Sequence, residues 1–321
     1  MKLQLTKPES CEIMDLRKVA VPLIRRCMIN GAKVQEGNVK KTMLGVFAAA
    51  LFVQACSTPP ANPGEVFDAR NRSGSQMDLG NRHSARGDPQ TALFLLDDAL
   101  RLATLADDSA LIVMAGLSRS DVLFSLGRSE EASAAIDTAA AEARRAENKE
   151  LAALCTVSSV RQQLPSYNSG EAASAAVLVR GMIPLFSSRL NTAFARTTVA
   201  LAEAAAGNFS RAEDEAALAL AIHERLRSFE LAAYDWFMIA SFRSRAGDLP
   251  GARQALESSM EMDRRVENSW GLASSWRAMG DVERKAGNWE ASRAAYLRAA
   301  GIFRAMGSET VADEALSLAD W

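Results

Sequence analysis

Several residue types are scarce in this chain of 321 residues, and each shortage excludes something. Only two histidines occur, His83 and His223, 140 positions apart. The four cysteines (Cys11, Cys27, Cys56 and Cys155) form no CxxC pair and no His/Cys cluster. A structural zinc site needs four good ligands, so neither a metal nor a cofactor is expected. There is no Gly-rich phosphate loop and no G-x-S-x-G turn, and neither histidine has a catalytic partner close in sequence. The chain therefore reads as a non-enzyme. No stretch between turn signals alternates β-branched residues, which argues against strands. Aromatics make up only 6% of residues, while alanine, the best helix former, is abundant.

The near-neutral charge of −2 conceals an asymmetry. Nine of the 37 basic and four of the 39 acidic residues precede Cys56, leaving 28 against 35 in the remainder. An acidic surface of that kind has no reason to bind phosphate backbones, so nucleic acid is excluded as a partner class. Beyond Cys56 the only lysines are Lys149 and Lys285.

Residues 40–56 read KKTMLGVFAAALFVQAC. Two lysines precede an apolar stretch from Met43 to Val53, which has signal-peptide length and is too short for a comfortable transmembrane helix. The end of the stretch, Val53-Gln54-Ala55-Cys56, resembles the lipobox of bacterial lipoproteins. That resemblance implies cleavage before Cys56, acylation of its thiol and amine, and attachment to a membrane through those chains. Ser57 behind the cysteine resembles the enteric signal for export to the outer membrane. The expected organisation is an N-terminal extension over 1–38, a signal peptide over 39–55 with translation starting at Val39, a lipidated Cys56 with a Pro-containing tether over 56–72, and a helical repeat domain over 73–321.

Turn signals recur at a fixed interval. Gly-Asp-Pro begins at Gly87, Gly-Arg-Ser at Gly127, Gly-Asn-Phe at Gly207, Gly-Asp-Leu at Gly247 and Gly-Asn-Trp at Gly287, with a displaced copy at Tyr167-Asn168-Ser169-Gly170. A period of 40 over six copies predicts a solenoid. Each glycine suits the left-handed position that closes a helix, and Asp88, Asn208, Asp248 and Asn288 are placed to cap the next one. A second series of cap residues runs in antiphase at Asp108, Asn148, Ser188, Ser228, Asn268 and Ser308. Small residues five positions after the glycines (Ala92, Ala132, Ala172, Ala212, Ala252) let the paired helices approach closely.

The last repeat reads Trp276-x2-Met279-Gly280, with Tyr296 in its second helix and Ala299 after it. The fifth reads Trp236-x2-Ile239-Ala240 and then Ala252-x3-Leu256, and the first keeps Leu79-Gly80 and Ala92-x3-Leu96. These patterns resemble the tetratricopeptide repeat (TPR) over about residues 73–306, with a longer period and with the family's tyrosine replaced by His83, Leu123, Glu203, Arg243 and Glu283. The resemblance implies an all-α, TPR-like, right-handed α-solenoid of about six 40-residue helix-turn-helix repeats, closed by a capping helix within residues 309–321.

In that family the first helices line a groove that takes up protein partners. By register the groove residues expected here are Met77, Asn81 and Ser84 in repeat one and Met114, Leu117, Asp121 and Phe124 in repeat two. Repeat five contributes Tyr234, Phe237 and Ser241, and repeat six Arg277, Asp281 and Arg284. Trp236, Trp276, Ile239 and Met279 fall on packing positions, and Cys155 reads as a small buried hydrophobe. The functional expectation is an outer-membrane lipoprotein facing the periplasm, serving as a protein-binding adaptor or scaffold for an envelope machine of the pilus, secretion or outer-membrane assembly type. The alternative is a cytoplasmic TPR regulator or sensor in which residues 40–56 are not processed.

Overall fold

The computed structural model describes residues 64–319, so Cys56, the signal segment and the extension lie outside the described residues. Within 64–319 there is no strand, and none of the helices is long and apolar enough to cross a membrane. Thirteen α-helices follow one another: α1 (Glu65–Ala85) and α2 (Pro89–Leu105), α3 (Ser109–Ser125) and α4 (Ser129–Arg145), α5 (Lys149–Gln163) and α6 (Ser169–Met182). They continue with α7 (Arg189–Ala205) and α8 (Phe209–Arg225), α9 (Phe229–Ala246) and α10 (Leu249–Arg265), α11 (Ser269–Lys285) and α12 (Trp289–Ala305), and end with α13 (Glu309–Ser317). This is the expected set of six pairs and a cap. The first helix begins at Glu65, ahead of the expected start at residue 73. Glu65 and Asp68 supply negative charge to its first turn, where the exposed amides favour it.

Local chemistry sets the boundaries. The turns inside pairs are closed by Gly87, Gly127, Gly207, Gly247 and Gly287, all with φ between +75° and +91°. Most turns between pairs use the same closure with ordinary residues in the left-handed region: Asp107, Glu147, Arg227 and Glu267, at φ from +48° to +55°. Each costs about 1 kcal/mol of backbone strain, offset by the carbonyls it satisfies, as in Asn148 N–H to Ala143 O at 3.1 Å. The third pair departs from this scheme. Pro165 and Pro184 begin single 3₁₀ turns, Leu164–Ser166 and Ile183–Leu185, and Asn168 with Glu171 forms a capping box, so no left-handed glycine is needed.

Four expected caps are corrected: Asn208, Ser228, Asn288 and Ser308 make no side-chain cap bond. The amides of Asn208 and Asn288 reach back instead to Glu203 and Glu283, each at 2.8 Å. Glu203 and Glu283 occupy the family's tyrosine position, and each also pairs with an arginine of the preceding pair's second helix, Arg180 and Arg253, both at 2.7 Å. Burial raises the Glu203 carboxyl, but Arg180 and Asn208 outweigh it and hold it below the ordinary value. The Arg253 bond does the same for Glu283. An ionic bracket between helices thus stands at that position.

Small residues set the helix spacing. Ala92, Ala132, Ala172, Ala212 and Ala252 are all fully buried. A side chain at Gly80 would meet Leu96, and one at Gly280 would meet the ring of Tyr296, so bulk on the second helix is accommodated by its absence on the first. Ile239 and Met279 are buried as expected, while Trp236 and Trp276 pack against the core with part of each ring exposed. Helix α13 lays Ala312 and Ala315 over Ala299, Ala300 and Phe303, covering the open end of the sixth pair.

Candidate functional site

First helices of non-adjacent repeats converge on one cavity of about 380 Å³. Asn81 and Arg82 come from α1, Arg161 from the end of α5, and Tyr234 and Phe237 from α9. The far wall is Asp263, from the end of α10, with Trp270 from α11. The array therefore returns on itself: the ring of Trp270 lies against the backbone of Gly87, so that even a methyl group there would collide with it. Trp270 is supported from behind by Phe303, with ring centroids 5.1 Å apart and planes inclined at 70°.

Arg161, Leu231 and Tyr234 also line a smaller pocket of about 100 Å³ that holds Asp121, His223 and Asp235. Arg161 lies over the faces of Phe194 and Tyr234, at 5.3 and 5.7 Å from their centroids, and donates to Tyr234 Oη at 3.3 Å. His223 Nδ1 and Asp235 Oδ2 are 2.6 Å apart, with both side chains buried. Burial pushes the Asp235 carboxyl up, and His223 offsets part of that rise. The other oxygen of Asp235, Oδ1, is buried without a hydrogen-bond partner.

Of the expected groove residues, Asn81, Tyr234 and Phe237 line the cavity, and Asp121 lines the inner pocket. Met77, Met114 and Leu117 require a correction. They are buried in the packed interior, Met77 and Met114 against the α2 alanines and Leu117 in the central cluster, because α3 is enclosed by helices on more sides than its register suggests. Phe124 is partly exposed, but it lines neither the cavity nor the inner pocket. Arg277, Asp281 and Arg284 also lie outside both. Arg277 faces Glu314 of α13 at 4.0 Å, and Asp281 accepts from Tyr296 Oη at 2.6 Å and from Arg284 at 3.0 Å. Their charges brace the end of the array. Cys155 is buried as expected, and burial pushes its thiol up to about 11, so it is protonated at neutral pH and a poor nucleophile.

Sequence reasoning missed Arg161, Asp263 and Trp270, along with the pairing of His223. A usable signal existed for the histidine. Ala103, Ala143 and Phe303 stand at equivalent positions of other repeats, so a titratable residue there must find a partner. Asp263 is at the same position one repeat later. Its carboxylate accepts from Asn268 Nδ2 at 2.8 Å, and burial, with Glu230 adding to it, pushes it up to about 6. A carboxyl raised above its unfolded value of 3.8 destabilises the fold above about pH 6, and this cost vanishes below the unfolded value. Asp263→Asn is therefore expected to raise stability by about 2 kcal/mol at neutral pH. In thermal melts, the gain over wild type should shrink as pH falls through about 6 toward 4. A gain independent of pH would refute the assignment.

No protein-family model matches the sequence, and no curated protein matches it. Solved structures do. A Rap protein complexed with Competence and Sporulation Factor shares 11% identity at a TM-score of 0.54, covering 94% of this chain and 89% of that one. BtubC from P. vanneervenii shares 16% identity at a TM-score of 0.50, covering 78% and 93%. A Signal Transduction ATPase with Numerous Domains, with a tetratricopeptide repeat sensor, from Pyrococcus horikoshii matches at a TM-score of 0.46 and 13% identity. There the alignment covers 79% of this chain but only 42% of the other. These identities speak to fold alone. With its six helix pairs, its cap and the likeness to the Rap protein and BtubC, the chain has the all-α fold of a tetratricopeptide-like solenoid.

Proposed function

We propose that this chain is a non-enzymatic adaptor that takes up a segment of a partner protein in its central cavity. The observation that carries this reading is the convergence of α1, α5, α9 and α11 on one cavity walled by aromatic faces and a few charged groups. That mixture suits a polypeptide segment laid against it. The Rap protein of similar fold, complexed with Competence and Sporulation Factor, is consistent with it. The anchor in this reading is Cys56, whose acyl chains hold the adaptor on the periplasmic face of the outer membrane, where it helps assemble a pilus, secretion or outer-membrane assembly machine.

Crosslinked capture from intact envelopes tests the reading. Wild type should retrieve one stoichiometric protein that a Tyr234→Ala/Phe237→Ala variant loses. Equal retrieval by both would remove the cavity from the account. Fractionation tests the anchor: wild type should remain with membranes through a salt wash, and Cys56→Ser should be released. Wild type found in the soluble cytoplasmic fraction would instead support the regulator or sensor reading.

A further inference from the structure

One carboxylate in the cavity wall, Asp263, indicates what the cavity accepts. Asp263 and Glu230 line the outer cavity with Arg82 and Arg161, and Asp121 and Asp235 line the inner pocket with Arg161 and His223. Arg161 sits at the junction and acts electrostatically on both inner carboxylates, Asp121 and Asp235, the second of which also has His223. In the outer cavity Arg82 is at the exposed rim. Asp263 is nearly inaccessible, yet its carboxylate meets one side-chain amide and no cation among the described residues. A desolvated carboxylate without a counter-charge is costly, and a bound cation would remove that cost. Around it stand Tyr234, Phe237 and Trp270, whose ring faces attract positive charge and cover an aliphatic stem.

We propose that the outer cavity is a subsite for a basic side chain, a lysine or arginine presented by a partner polypeptide, whose stem lies on Tyr234, Phe237 and Trp270 and whose charge is met by Asp263. This rests on the adaptor reading and adds the chemistry of the captured segment. An acidic segment is disfavoured by Asp263 and would find Arg161 already engaged with two aromatic rings.

The test uses the full chain and fluorescence anisotropy with labelled alanine-rich heptapeptides that differ only at the central residue: arginine, lysine, glutamate or alanine. The arginine and lysine peptides are expected to bind at least about 10-fold more tightly than the glutamate peptide. Asp263→Asn, which keeps an acceptor for Asn268, should reduce that preference below about 3-fold. Wild type at about pH 5 is a second test: burial raises the Asp263 carboxyl to about 6, so it is protonated there and the preference should also collapse. The charged groups that share the outer cavity with Asp263 are Glu230 of α9, Arg161 of α5 and Arg82 of α1, of which Glu230 acts on it electrostatically. Tighter binding of glutamate, no preference, or a preference that survives loss of the Asp263 charge would overturn the inference. If no peptide binds while envelope capture still retrieves a partner, the subsite is wrong and the adaptor stands. If capture also fails, both fall.

Discussion

Phe303→Ala is expected to destabilise the protein by about 3–5 kcal/mol. Phe303 is almost completely buried, on α12, where it touches both the alanine-lined seat of α13 and the edge-on ring of Trp270. Alanines at positions 273, 299, 300, 312 and 315 already fill this end of the core with little volume. Their short side chains cannot collapse into the space the ring leaves, so the cavity term of the penalty is fully incurred. A fall in the urea midpoint at unchanged slope would confirm the mechanism. A loss under about 1 kcal/mol would mean that α13 and Trp270 do not depend on this ring. Because Trp270 leans on Phe303, the same change should also loosen the wall of the cavity, and partner capture should weaken with it.

The second large effect lies at the other side of the same contact. Gly87 and Gly127 close equivalent turns with nearly identical φ, +77° and +75°, yet nothing lies within 4 Å of a side chain placed at Gly127, whereas one at Gly87 would drive into Trp270. Gly127→Ala should thus cost only the left-handed backbone strain, about 1–2 kcal/mol. Gly87→Ala should cost that plus about 1–3 kcal/mol for displacing an indole. Equal losses from the two substitutions would mean that the indole moves aside freely. A larger loss at Gly87, accompanied by a change in tryptophan fluorescence, would confirm that the first and sixth repeats are in contact.

The fold was legible because every turn announces itself locally. The glycines at 87, 127, 207, 247 and 287 and the caps at 108, 148, 188 and 268 need only their immediate neighbours to act, and they stand where the 40-residue period puts them, although Ser228 and Ser308 in the same series make no side-chain cap bond. The cavity was half legible. Tyr234 and Phe237 follow from the register of one helix, whereas Arg82 and Trp270 come to line one cavity only through the summed rotation of five repeats, which no single repeat displays. Met114 and Leu117 show the limit of helical register: it gives the direction of a side chain but not how many helices surround it. Asn208 and Asn288 illustrate another. Their identity fits a cap, but a buried glutamate five residues earlier competes for the same amide and wins.

The meeting of Gly87 with Trp270 also changes how this molecule comes apart. In an open array each repeat touches only its neighbours, so the ends fray one unit at a time and the middle can outlast them. Here the turn of the first repeat rests on a tryptophan of the sixth, so separating those repeats breaks a contact between distant parts of the chain. That contact is expensive to form, since a long stretch of chain must be ordered before it closes, but once made it couples distant units and opposes independent fraying.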